Sequence, residues 1–231
     1  MKKKIESLLI WFQTDEGRIA KFTDLFFGIT LLFNRLLNET YEGKKIKFIN
    51  VNLETIENYK KHPEISLNYT HYYNGHLNFY GLFEKEIFEE LNFEEQSIYV
   101  WDKIFKALIE CSKTIKNQAL FDATMYTYSK GLENNLSTDY KVLEQYFDRG
   151  NESYSVCVLF SFKKDGIYSK LLIKKDDIFC YERDLDSTVI GNGYFLTIYK
   201  DLSIINDTLI LKGKSEIDYL PLMISLGNIL K

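Results

Sequence analysis

The sequence predicts an α+β protein, in which a helical N-terminal and middle region packs on a mainly antiparallel β-sheet and a C-terminal helix closes the chain. Apolar residues recur at helical spacing through much of the first 150 residues, whereas from Tyr154 onward they form short runs bounded by turn residues. Helices followed by strands are typical of this class. We expect one domain, 1–231, with a possible division into a mostly helical part (1–150, with a hairpin at 65–83) and a β-rich part (151–231).

Composition narrows the classes of function. An apolar fraction of 45% and a charged fraction of 27% are typical of a folded, soluble protein. The net charge of −4 argues against nucleic acid or an anionic membrane as the partner, and it permits a basic protein partner. The chain holds 17 Tyr and 17 Phe beside much Lys, Asn and Ile, a composition that an AT-rich genome produces. Only the placement of the aromatic residues is therefore informative.

Cysteine usage and hydropathy indicate a cytoplasmic protein. The three cysteines form no CxxC pair and suit a reducing compartment, each as a small buried side chain: Cys111, Cys157 and Cys180. The basic start, Met1–Lys4, resembles that of a signal peptide, but the apolar run that follows is short and no small-residue cleavage site comes after it. The longer apolar stretch from Phe22 to Leu37 contains charged residues and is too short for a bilayer span.

The first elements follow from apolar spacing. Ser7–Phe12 is short enough for a buried strand. Thr14 is placed to cap a helix whose first turn is acidic. Phe22 to Leu37 then forms the central core helix, with apolar residues on more than one side. Lys45–Leu53 has the pattern of a strand with one phase slip.

Asn74-Gly75 is the strongest local signal, because it lies between two β-patterned runs as the preferred two-residue type I′ turn. This turn sets a register that pairs Tyr73 with His76, His71 with Asn78 and Tyr69 with Tyr80. Period-two alternation then places these six side chains on one face of the hairpin, here called the Tyr/His face. Whether a helix covers that face is left open, since half-buried sheets accept tyrosine readily.

Amphipathic helices follow the hairpin. Phe83–Leu91 forms a short one, and Asn92 with Glu95 forms a capping box for the next, whose core stripe runs from Ile98 to Ile115. Six glutamates give this region an acidic surface: Glu84, Glu86, Glu89, Glu90, Glu94 and Glu95. Two more helices are predicted, Ala119–Lys130 ended by Gly131 and Thr138–Asp148 ended by Gly150.

The C-terminal part has the pattern of strands. Asp165-Gly166 joins Val156–Phe162 to Ile167–Lys174 as a second hairpin, whose loop has two residues or more. Further strands are predicted at Ile178–Glu182, Tyr194–Tyr199 and Leu209–Lys212. A helix over Asp218–Leu230, with Pro221 in its first turn, closes the chain.

Sequence motifs of known catalytic sites are missing, so no catalytic residue and no cofactor are predicted. His71 and His76 are diagonal neighbours across the hairpin, so their two imidazoles could reach one ion. A zinc site needs at least a third protein ligand, and the sequence nearby supplies no candidate at a suitable spacing, so no metal site is predicted. Adjacent carboxylates on a helix point about 100° apart and do not converge on one reacting atom. Cys111 would need a nearby histidine to act as a nucleophile, and its place near the apolar stripe favours a packed core thiol.

Two hypotheses for function remain. In the first, the chain is a non-enzymatic binding protein, and one contact surface combines Tyr69, His71, Tyr73, His76 and Tyr80 with the six glutamates. In its small, acidic, motif-free α+β character the chain resembles immunity proteins that accompany secreted bacterial toxins, which implies a basic toxin domain as partner. In the second, it is an enzyme whose site is assembled from scattered polar residues, which predicts a deep pocket with a strongly perturbed titratable group. The sequence does not set the oligomeric state.

Overall fold

Helices and strands are mixed along the protein, whose computed structural model describes residues 4–43, 45–63, 65–176 and 178–230, and the α+β class is confirmed. The chain divides into two compact units between Thr138 and Asp139, earlier than the division at residue 150 expected from the sequence. The prediction of a single domain stays a prediction. The basic start at residues 1–3 lies outside the described residues. None of the described helices is long and apolar enough to cross a membrane.

The first unit alternates strands and helices along most of its length. Its elements are β1 (Ser7–Thr14), β2 (Gly17–Arg18), α1 (Ala20–Leu25), α2 (Phe27–Thr40), β3 (Phe48–Glu54), α3 (Ile56–Lys61), β4 (Tyr69–Tyr73), β5 (His76–Leu82), α4 (Lys85–Glu90), α5 (Phe93–Thr114) and α6 (Gln118–Glu133).

These strands form one five-stranded sheet in the order β2-β1-β3-β5-β4. Its centre is parallel, because α1 and α2 carry the chain across from β1 to β3, and α3 and β4 lie between β3 and β5. The two edge strands pair antiparallel with their neighbours. Among the described residues antiparallel pairs predominate, as predicted, but they belong to three sheets rather than one.

One face of this sheet carries the core. Alternate residues of β1, β3 and β5 are buried on it, for example Ile10, Val51 and Leu77, which are at most 1% exposed. Aromatic rings connect the sheet to the helices and the helices to each other: the ring of Phe88 in α4 lies 5.5 Å from that of Phe12 in β1, and the ring of Trp101 in α5 lies 4.5 Å from that of Phe33 in α2. Helices α2, α4 and α5 therefore pack on this side of the sheet, and alternation along the strands places different residues on the other side.

Thr14 does not cap a helix. It is the last residue of β1, and its hydroxyl donates to the carbonyl of Gly17 and accepts from the backbone N–H of Glu16. The residues between Thr14 and Gly17 form a tight turn into β2, and the first helix begins only at Ala20. The same Thr-Asp-Glu pattern suits a turn as well as a cap, because in both the hydroxyl binds a backbone N–H two residues ahead.

Three other predictions for the first unit need correction. The central helix is two helices, α1 and α2, separated at Phe26. Ile98 is exposed, since the buried stripe of α5 passes through Val100, Trp101, Ile104 and Leu108. Gly131 lies inside α6 and is packed against the Trp101 indole instead of ending the helix.

The second unit is mostly strand. Its elements are β6 (Tyr140–Arg149), β7 (Glu152–Lys163), β8 (Gly166–Lys175), β9 (Ile178–Thr188), a 3₁₀ helix (Gly193–Thr197), β10 (Tyr199–Ile205), β11 (Thr208–Gly213), β12 (Leu222–Ser225) and α7 (Leu226–Ile229). The first four strands form a meander, β6-β7-β8-β9, and the last three form a second antiparallel sheet, β10-β11-β12. The predicted hairpin between β7 and β8 and the strand at Leu209–Lys212 are confirmed. The turn of this hairpin is Lys164-Asp165 rather than Asp165-Gly166, because Gly166 pairs with Lys163.

Three predictions for this unit are wrong. Thr138–Asp148 is a strand, β6, whose bulge between Lys141 and Leu143 shifts the alternation and gives the apolar residues an apparent helical spacing. Tyr194–Tyr199 is mostly the 3₁₀ helix, and the strand begins at Tyr199. The closing helix is replaced by β12 and a single turn, because Leu222 and Ile224 complete the ladder with β11. Cys180 is also exposed, whereas Cys111 and Cys157 are buried as expected.

Candidate functional site

The side of the five-stranded sheet that faces away from the core, here called the open face, is the candidate functional site. The registers of its four main strands align side chains into rows that run across the sheet. From one end to the other the rows are Ser7, Phe48, His76 and Tyr73; then Leu9, Asn50, Asn78 and His71; then Trp11, Asn52, Tyr80 and Tyr69; and then Gln13, Glu54 and Leu82.

A polar network fixes the middle of the open face. The Trp11 indole N–H donates to the side-chain oxygen of Asn50 at 3.2 Å, and the Asn50 amide donates to Asn78 at 3.1 Å. Asn52 donates to the backbone carbonyl of Phe79 at 3.1 Å. Since each amide is hydrogen-bonded to a neighbouring strand, the fold itself holds these side chains in place.

Aromatic rings flank the network. The Phe48 ring stacks on the His76 imidazole with 4.7 Å between centroids, and Tyr69 lies 6.3 Å from Tyr80. The guanidinium of Arg18 lies 4.1 Å from the centre of the Trp11 ring. The face therefore offers large flat rings around a fixed amide ladder.

The hairpin has the register predicted from the sequence. Tyr73 pairs with His76, His71 with Asn78 and Tyr69 with Tyr80. Asn74 and Gly75 both have positive φ, at 46° and 86°, as a type I′ turn requires. Both tyrosines of β4 on this face are exposed among the described residues: Tyr73, at the turn, is 71% exposed, and Tyr69, at the other end of the strand, is 44% exposed.

A cleft of about 180 Å³ opens where α3 borders the other end of the face. The Trp11, Asn52 and Tyr80 side chains form its floor, and Glu54, Asn58 and His62 belong to its wall. The Asn58 side-chain amide donates to the Glu54 carboxylate, and the backbone N–H of Asn58 donates to the Thr55 hydroxyl, which caps α3. The carboxylate is thus bound within the wall.

The six glutamates, here called the glutamate patch, are all exposed. They lie on or next to α4 and in the first turn of α5, whereas the Tyr/His residues lie on β4 and β5. The strand registers bring the Tyr/His residues together in rows, and the glutamates belong to the helical segments that follow β5.

Two of the glutamates have internal partners. Glu84 accepts from the Tyr99 hydroxyl at 2.8 Å and lies 3.6 Å from the Lys103 ammonium, and the Tyr99 hydrogen bond lowers the pKa of Glu84. Burial, and then the same carboxylate, raise the pKa of Tyr99. Glu95 closes the predicted capping box with Asn92, which is confirmed. Both carboxylates already have roles in the fold of the first unit.

Cys111 is a core thiol. It is fully buried in α5, its sulfur accepts from the Thr70 hydroxyl at 3.5 Å, and burial raises its pKa to about 11. His71 follows Thr70 on β4 and therefore points to the opposite side of the sheet. A nucleophilic Cys–His pair with this histidine is incompatible with that geometry.

The second unit has a larger cleft, of about 740 Å³, on one face of the β6–β9 sheet. Its central cation, Lys170, is paired across the strand with both Glu182 and Asp184. Residues of the described ranges include no group of three or more His, Cys, Asp or Glu side chains placed to hold a metal ion. His71 and His76 are diagonal neighbours, as expected, within the Tyr/His face.

Comparison of the chain with known protein families, with curated proteins and with solved structures finds no match.

Half of the residues of the open face were not predicted from the sequence. Trp11, Phe48, Asn50 and Asn52 join the hairpin residues only because β1 and β3 pair in parallel with β5. A signal was present, since Phe48–Glu54 alternates strictly between buried apolar residues and outward residues. That alternation predicts a two-faced strand, and a second strand with the same pattern, Ser7–Thr14, predicts the same face.

Proposed function

We propose that this chain is a non-catalytic binding protein that holds a protein partner on the open face of its first sheet. The observation that carries the proposal is the exposure of Tyr73 and Tyr69 on the edge strand of the sheet, beside a hydrogen-bonded amide ladder. Tyrosine supplies a large contact area with a polar tip at low entropic cost, and it is enriched at binding hot spots. Preorganised side chains lose little freedom on binding, so more of the contact energy becomes affinity.

The finer proposal is that the partner is a toxin and the chain its immunity protein. The net charge of −4 and the exposed glutamates favour a basic partner. Because the glutamate patch belongs to α4, α5 and their flanks and the Tyr/His face to β4 and β5, we assign them different roles. The aromatic face contacts the partner and sets the lifetime of the complex, and the glutamates attract it and set the association rate.

The test uses the protein encoded by the adjacent upstream gene as the candidate partner. Nanomolar binding that silences a toxic activity of that protein is the expected result. Lack of binding, together with a measurable turnover by this chain, would overturn the proposal in favour of an enzyme.

Substitution then tests the face itself. Tyr73→Ala should weaken binding by roughly 30-fold, since hot-spot truncations cost about 2 kcal/mol or more. Tyr146→Ala is the matched control, because Tyr146 in β6 is 73% exposed, close to the 71% of Tyr73. Equal affinities for the two variants would reject the open face as the binding site.

Charge reversal tests the glutamate patch. The triple variant Glu89→Lys, Glu90→Lys and Glu94→Lys should lower the association rate about tenfold at low ionic strength and leave the dissociation rate nearly unchanged. Glu84 and Glu95 stay as they are, since both have partners within the fold. A slower association that persists at high salt would contradict electrostatic steering.

A further inference from the structure

Strand β4 differs from the other edge strands of the described sheets. An edge strand presents unpaired backbone groups, and proteins usually protect it with bulges, charges or short length. In the sheets formed by the described residues, β6, β9 and β10 carry register shifts, and β2 and β12 have two and four residues. β4 has five residues, regular pairing with β5, and no Lys, Arg, Asp, Glu or Pro.

The hairpin turn determines which backbone groups of β4 face outward. In a two-residue hairpin the residues that flank the turn exchange both hydrogen bonds, so Tyr73 bonds to β5. Alternation gives the same inward direction to His71 and Tyr69. The N–H and C=O groups of Thr70 and Tyr72 therefore point to the outer edge, which presents two donors and two acceptors.

This edge is complementary to itself. If two copies of β4 run antiparallel with His71 opposite His71, then Thr70 of each copy lies opposite Tyr72 of the other. All four outward groups of each chain then find partners across the two-fold axis. On the open face, Tyr69 of one copy lies opposite Tyr73 of the other, which pairs aromatic side chains directly across the strands.

We propose that β4 pairs with β4 of a second copy of this chain, forming a two-fold dimer that joins the two five-stranded sheets into one. The contact is isologous and closed, as in most homodimers. It uses the strand edge and does not depend on the proposed partner. A five-residue edge buries less than the roughly 1,200 Å² of a standard interface, so the dimer is weak, with a dissociation constant on the order of tens of micromolar.

Sedimentation equilibrium of the full chain tests the dimer. The average mass should rise from that of the monomer towards twice that value between about 1 and 300 µM, the range that brackets such a constant. A mass that stays at the monomer value throughout would overturn the proposal.

Charge at His71 tests the register. His71→Glu and His71→Lys should each weaken the dimer roughly tenfold, because like charges then lie directly opposite each other. An equimolar mixture of the two variants should restore it as a heterodimer. His76→Glu is the matched control, because it changes the same residue type on the same face of the sheet, but on β5, one strand in from the edge. This variant should dimerise like the unsubstituted chain.

Two outcomes contradict this interface even if the chain dimerises. His71 variants that associate as strongly as the control would place the contact elsewhere. A mixture that stays monomeric, with both variants folded by circular dichroism, would show that the two His71 residues do not face each other.

Discussion

The two faces of the five-stranded sheet are built from alternate residues of the same strands, yet they serve different purposes. On the covered face, Phe12 touches Phe22, Phe83 and Phe88, and its ring is fully buried. On the open face, its neighbour in sequence, Trp11, is half-buried and hydrogen-bonded to Asn50. The covered face stabilises the fold, and the open face keeps rings and amides in a fixed array at the surface. Substitutions on the two faces should therefore have different consequences.

The largest difference is expected between two phenylalanines. Phe88→Ala should lower the free energy of unfolding by about 3–5 kcal/mol, because Phe88 is fully buried among Phe12, Phe22, Phe26 and Phe83. Phe48→Ala, on the open face, should cost about 1 kcal/mol, since it loses the stack on His76 but leaves no closed cavity. Denaturation followed by tryptophan fluorescence reports on this unit, which holds both Trp11 and Trp101.

Equal losses of stability for the two phenylalanine variants would contradict the distinction between a stabilising covered face and an open face. They would show that the open face contributes as much to the core as the covered face does.

Gly131 gives the next largest effect. A Cβ atom at this position would lie 2.1 Å from the nearest carbon of the Trp101 ring, which is fully buried and cannot move aside. Gly131→Ala should therefore destabilise the unit by about 1–3 kcal/mol, despite the gain of about 1 kcal/mol in helix propensity. Chemical denaturation measures this. Ser129→Ala, at an exposed site of the same helix, is the control and should be neutral or slightly stabilising.

A stabilising Gly131→Ala would contradict the close contact with Trp101. It would favour a glycine without a packing role in α6.

Prediction from the sequence succeeded where local chemistry decides the structure. The Asn74-Gly75 turn fixed the hairpin register, and Asn92 with Glu95 marked the start of α5. It failed where pairing with distant residues decides. The bulge in β6 gave a strand the spacing of a helix, and β12 follows the pairing of Leu222 and Ile224 with β11.

The candidate site shows the same division. The hairpin half of the open face follows from the two-residue turn Asn74-Gly75, which is recognisable from the local sequence alone. The half that contains Trp11 and Asn50 depends on parallel pairing between strands separated by two helices. Asn206-Asp207, with φ of 50° and 60°, forms the turn between β10 and β11. This local turn signal was not used in predicting the strands from the sequence.

The smallest expected effect lies at the rim of the covered face, where Glu84 meets Tyr99 and Lys103. The folded-state pKa of Glu84 is lowered, first by the Tyr99 hydrogen bond. Its ionised form therefore stabilises the fold above the ordinary pKa of about 4.5, and this contribution is lost as the pH falls through the lowered value. The side chain is 59% exposed, so solvent screening limits the contribution to about 0.5 kcal/mol.

Glu84→Gln isolates this contribution. The difference in free energy of unfolding between the unsubstituted chain and the variant should be largest near pH 7 and should shrink towards zero as the pH falls below the lowered pKa of Glu84. In a Tyr99→Phe background most of the difference should disappear at every pH, since the principal hydrogen bond is gone. A difference that persists in that background would assign the stabilisation to the Lys103 ammonium instead, 3.6 Å away, and would make the rim an ion pair rather than a phenol–carboxylate bond.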